Sequence, residues 1–241
     1  MFKSWRIGKL LGFPIEINLS FLILLGLVFV AYGGLAGVLV VSLAFAFVLL
    51  HELGHAVVAR ALRVDVAGIE LGFLGGAAKM TSLPRTANAE LAIAAAGPAV
   101  SLVLGGIGMG LAAAFHSPVF ALVGWINLVT AGFNLIPALP MDGGRILRAA
   151  LSKRMDFVRA TDISVTVSRV AAAGFVLWAL SGGPLQLLAL APFLWIMGTR
   201  EKLLARMMAR DRADYGGRWG TPIRRFTMAH HNGRIVIVPL D

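Results

Sequence analysis

The chain has 241 residues, 58% of them hydrophobic and 14% charged, and its mean hydropathy is +0.82. Soluble domains carry roughly 25% charged residues, so these proportions describe a polytopic membrane protein. There is no cysteine, which excludes disulfides, thiolate metal sites and cysteine nucleophiles. The formal charge of +10 does not signal nucleic acid, because Lys and Arg gather at the ends of apolar runs and in the C-terminal tail, as the positive-inside rule requires.

In chain order, Lys3, Arg6 and Lys9 favour a cytoplasmic N-terminus. The apolar run that follows is too long for a signal-peptide core, so no cleavable leader is expected. Residues 13–18 alternate loosely and predict a short strand. Apolar spans are predicted at about 17–33 and 36–59, the second closed by Arg60 and Arg63. Residues 64–83 do not form a clean span. They hold Asp65, Glu70, Lys79 and the glycines 72, 75 and 76, which suits a hairpin or re-entrant loop better than a helix.

Further spans are predicted at about 91–115, 119–139, 163–180 and 185–204. Glycines 105, 106, 108 and 110 in the third allow close helix packing. Pro137 and Pro140 unwind the end of the fourth. Residues 146–161 form a basic amphipathic segment expected on the cytoplasmic surface, and Arg169 is placed to snorkel from the fifth span. The tail after residue 205 is too short for a core of its own, with a single strand expected at 234–238. The fold class is therefore an all-α polytopic membrane protein of about six transmembrane helices with a small membrane-associated β-hairpin region. It comprises a core over 1–204 and a short basic cytoplasmic tail over 205–241. The three connections this leaves outside the cell contain no Lys or Arg, consistent with a multi-pass plasma-membrane protein whose termini are both cytoplasmic.

The second span carries His51-Glu52-Leu53-Gly54-His55. Histidines four apart share one helical face and can reach one zinc ion, and the glutamate between them is placed to act as base on a water held there. At about 1.5 Å per residue, His51 lies roughly 22 Å from the start of the span and about 13 Å from its basic end. Three ionisable groups at that depth are costly without a shared partner. A catalytic zinc site needs a third protein ligand and an open position. Asp65, Glu70, Glu90 and Asp142 are the candidates, and Asp142, just after the proline-unwound helix end on the cytoplasmic side, is favoured. His116 reads as a plain turn residue. His230-His231 reads as a solvated tail pair rather than a metal site.

Together, H-E-L-G-H and Asn134-x-x-Pro137-x-x-Pro140-x-Asp142-Gly143-Gly144 resemble the site-2 protease family of zinc intramembrane metalloproteases. Gly75-Gly76 and Ala96-Gly97-Pro98 add to the likeness, which extends to about residue 204. It is closest to the minimal bacterial and archaeal type, without PDZ or CBS domains. The resemblance implies one zinc ion held by His51, His55 and Asp142, Glu52 as catalytic base, and Asn134 engaging the substrate or the oxyanion. It further implies that the 64–83 segment pairs with an extended substrate. The partners it implies are the lipid bilayer and a membrane-tethered protein, for which a single-pass anti-sigma or pro-sigma factor serves as an example. A membrane zinc transporter and another membrane zinc peptidase, such as a prenyl-protein endopeptidase, are the competing readings. The first would need polar groups along a path to both faces, and the second lacks the proline-aspartate-glycine element.

Overall fold

A hairpin opens the chain: strand β1 (Ser4–Leu10) turns into β2 (Phe13–Asn18). The computed structural model describes residues 4–31, 34–73, 75–82, 84, 86–185, 187–214, 225–231 and 234–240. The turn is made by Leu11 and Gly12, both at positive φ (49° and 89°), the twist that two-residue hairpin loops favour. Helices α1 (Leu19–Ala31) and α2 (Leu35–Ala61) follow, then strands β3 (Val66–Gly72) and β4 (Gly75–Met80). Next come α3 (Ala87–Phe115), α4 (Pro118–Asn134), α5 (Asp142–Leu151), α6 (Phe157–Leu180) and α7 (Leu187–Asp214). The last elements are β5 (Arg225–His231) and β6 (Arg234–Leu240).

The chain divides into two compact units, residues 1–207 and 208–241. In the second, β5 and β6 pair antiparallel from Arg225–Leu240 to His231–Arg234, where the sequence suggests one strand. His230 and His231 lie on β5, and their side chains fall outside the described set.

In the first unit, the region expected to be a hairpin is half of a four-stranded sheet of order β1-β2-β3-β4. β3 and β4 are antiparallel, and β2 runs parallel to β3 through Ile15–Ile69, Glu16–Glu70 and Ile17–Leu71. One face is apolar: Phe13, Ile15 and Ile69 bury against Leu53 and Ala56 of α2. The other face is a polar network. Lys79 pairs with Glu16 at 2.8 Å and Glu70 at 2.6 Å, and Ser4 and Asn18 donate to Glu70 at 2.6 and 2.7 Å. Period-two alternation across four strands thus seats the sheet on α2.

Among the described residues, three helices, α2, α3 and α6, are long and apolar enough to cross a membrane. At 27, 29 and 24 residues they run about 36–43 Å, against a hydrocarbon core of about 30 Å. α1 and α4 are apolar but shorter, at 13 and 17 residues. The start of the first predicted span is drawn into β2. The fourth ends at Asn134 instead of near 139, because Pro137 and Pro140 cannot continue a helix. Gly108 of α3 meets the backbone of Gly124 of α4, the close approach that small residues permit.

One basic residue sits differently from expectation. Arg148 is buried instead of lying on the surface. Its Nε donates to Glu90 of α3 at 2.8 Å, its Nη1 donates to Glu201 of α7 at 2.7 Å, and its guanidinium lies over Phe157. Arg169 stacks on Trp195 of α7, 4.5 Å from the ring centre.

Hydrogen bonds from Lys79, Ser4 and Asn18 hold the Glu70 carboxyl down from 4.5 to about 2. The folded value lies below the unfolded one, so this stabilisation is complete above about pH 4.5 and is lost as pH falls through about 2. Thermal midpoints measured from about pH 6 to about pH 2.5 should fall less steeply in Glu70→Gln than in the parent. Arg148→Ala leaves Glu90 buried without its cation and should cost about 3–5 kcal/mol, read by chemical unfolding in detergent.

Candidate metal centre

His51 and His55 lie one helical turn apart on α2 and are both about 2% exposed. Across from them, α5 begins at Asp142, where the helix N-terminus favours a carboxylate. Its Oδ2 stands 3.0 Å from Nε2 of His51 and 3.0 Å from Nε2 of His55. The sequence placed these residues 91 and 87 positions apart, and the fold brings them together. The other carboxylates considered are engaged elsewhere: Glu70 within the sheet, Glu90 with Arg148, and Asp65 exposed in the loop before β3. His116 caps α3 in a left-handed conformation.

The opposite ring nitrogens explain why a cation belongs here. His55 Nδ1 lies 2.6 Å from the carbonyl oxygen of Ile93, which can only accept, so Nδ1 carries the hydrogen. In the neutral ring, Nε2 then points a bare lone pair at the Asp142 carboxylate. Two lone pairs facing at 3.0 Å repel unless a positive charge lies between them. At His51 the Nδ1 partner is Ser101 Oγ at 2.9 Å, a hydroxyl able to accept as the Ile93 carbonyl does or to donate. Because one oxygen faces both rings, one shared ion relieves both contacts. Zinc fits: bonds of about 2.0–2.1 Å in a tetrahedron set ligands about 3.3 Å apart, close to what is observed. The partners on Nδ1 are those that orient metal-binding histidines.

Glu52 completes the group. The donor atoms of His51, Glu52 and His55 lie within 4.8 Å of one another, and Glu52 Oε2 accepts the backbone N–H of Ala78 on β4 at 3.0 Å. β4 comes this close because residue 76 is glycine; a Cβ there would stand 2.6 Å from Glu52 Cγ. A cavity of about 210 Å³ opens beside the group, lined by Glu52, His55, Met80, Asn134, Asp142 and Arg145. Asn134 lines this cavity, and its Nδ2 donates to Thr130 O at 3.0 Å.

The sequence did not disclose Ser101, the Ile93 carbonyl or the reason for Gly97. A Cβ on Gly97 would run into the Nε2 atoms of both histidines. A signal was present: 93, 97 and 101 are spaced by four on one face of α3, and that face carries nothing bulky where the imidazoles sit.

Comparison with known proteins shows the family of this chain. It belongs to peptidase family M50, the site-2 protease family, whose sequence model matches residues 38–117 and 110–177. The chain is 34% identical over 206 residues to zinc metalloprotease MJ0392 of Methanocaldococcus jannaschii, covering 82% of this chain and 60% of that one. Stage IV sporulation protein FB of Bacillus subtilis is 30% identical over 152 residues, covering 62% and 53%. The chain thus spans little more than half the length of these relatives. The solved site-2 protease from M. jannaschii superposes with a TM-score of 0.65 at 33% identity, covering 83% of this chain and 95% of that one.

Gly97→Ala should leave bound zinc well below one equivalent per chain, by metal analysis after gel filtration. Gly106→Ala, on the same helix with open space around it, should retain it.

Proposed function

We propose that the chain is a zinc-dependent intramembrane endopeptidase, hydrolysing a peptide bond within or near the transmembrane segment of a membrane-tethered protein. The observation that carries this is one carboxylate oxygen held 3.0 Å from two imidazole nitrogens, with Glu52 and a cavity beside them. His51, His55 and Asp142 would hold the ion. Zinc bound there lowers the pKa of water toward neutrality and polarises a carbonyl.

The chain's own residues do the rest. Glu52 takes the proton of a water as its oxygen adds to the scissile carbonyl carbon, then gives that proton to the amide nitrogen as the C–N bond breaks. A carboxyl and an amine result. Asn134 Oδ1 accepts an N–H of the substrate backbone.

A substrate helix must unwind before its carbonyls are reachable. β4 is an edge strand, and Gly76, Ala77 and Ala78 line the cavity, so an unwound segment regains its hydrogen bonds by adding as a strand. The proposed topology is six spans in the plasma membrane with both termini cytoplasmic. Residues 1–204 form the catalytic core and 205–241 a basic cytoplasmic tail, with water arriving from the cytoplasmic side.

The test uses the full chain in proteoliposomes with a single-span reporter containing a glycine-proline pair. Glu52→Gln should abolish cleavage with zinc still near one equivalent, and Asp142→Ala should lose the metal. Continued cutting by Glu52→Gln would remove Glu52 as the base.

A further inference from the structure

Helix α5 carries two arginines one turn apart, and they are treated in opposite ways. Arg148 is buried and its guanidinium is committed to Glu90, Glu201 and the ring of Phe157. Arg145 lines the cavity with its side chain 24% exposed. Its Nη1 stands 3.8 Å from Asp142 Oδ1, and its Nη2 has only the Met80 sulfur at 4.0 Å. Neither is an N–H···O hydrogen bond. Among the described residues, this guanidinium hydrogen-bonds no oxygen, although it offers five donors in a rigid fork.

Two other donors around the cavity are already committed: the N–H of Ala78 goes to Glu52 and the amide of Asn134 goes to Thr130. Arg145 is the one fixed cation among the described residues lining the cavity. It approaches Asp142 at Oδ1, whereas Oδ2 faces the histidines, so it reaches the cavity without competing for the oxygen between the imidazoles.

Resting on the proteolytic reading above, we infer that Arg145 is a further catalytic residue, the hydrogen-bond donor to the substrate's scissile carbonyl oxygen. As the water oxygen bonds to the carbonyl carbon and the water's proton passes to Glu52, the carbonyl π pair moves onto the carbonyl oxygen. Arg145 stabilises the charge there. When the pair returns, the C–N bond breaks and the Glu52 proton goes to nitrogen. A donor aimed at developing charge acts on the transition state more than on the bound peptide.

The experiment compares two ligands on the zinc-loaded full chain in nanodiscs: an extended peptide amide and the same peptide with a phosphinate replacing the scissile amide, which mimics the charged tetrahedral state. Arg145→Ala should keep zinc near one equivalent and bind the amide within about threefold of the parent, while binding the phosphinate about 100-fold more weakly. Arg145→Lys should fall between, and Arg145→Gln should match alanine should alanine fail to fold. In the cleavage assay, added guanidinium should restore turnover to Arg145→Ala. Equal losses for both ligands, no loss for the phosphinate, or loss of zinc would each overturn the assignment, the last making Arg145 a positioning residue for Asp142. A parent chain that holds zinc yet binds neither peptide would refute the proteolytic reading itself, a result distinct from any failure of Arg145.

Discussion

Lone pairs aimed at one another between α2 and α5 are the constraint on which this structure turns. Two imidazole nitrogens and one carboxylate oxygen converge with no hydrogen to spare at His55, whose other nitrogen is held by a main-chain carbonyl. A cation at that point removes the repulsion among them. The fold reads as the means of bringing those three atoms to one point.

Each neighbouring element contributes one part of that means. α3 supplies the acceptor, the hydroxyl and the missing side chain that give the imidazoles their orientation and their room. α5 presents Asp142 from its first turn, and Arg148 fastens α5 to α3 and α7 through Glu90 and Glu201. The sheet comes up against α2 from the other side, so Glu52 meets a strand edge instead of lipid. An ion pair as buried as Arg148–Glu90 adds little net stability over an apolar pair. It ties the last turn of α5 to α3.

How much of this could be read from the chain follows from sequence distance. The histidine pair is local, since four residues on a helix decide its geometry, and it was plain. Asp142 was the favoured ligand because prolines unwind the preceding helix, although only the fold could bring it to the histidines. The sheet was half visible: β2 and the 64–83 segment show their patterning, while β1, basic and partly exposed, does not. The parallel β2–β3 pairing leaves no local trace. Arg148 looked like a surface residue because its partners lie 58 and 53 positions away. Gly97 stood within a quoted motif, yet its purpose, leaving space for two rings, belongs to another helix.

The parallel pairing of β2 with β3 imposes a timetable on synthesis. β2 precedes α1 and α2, and its partner follows them, so the opening hairpin must wait at the membrane with one edge unsatisfied until both helices have been made and released. The sheet therefore cannot close until the helices between its two halves have been made, like a clasp on a finished loop. An interruption of translation before β3 emerges would leave the nascent chain with a bare strand edge.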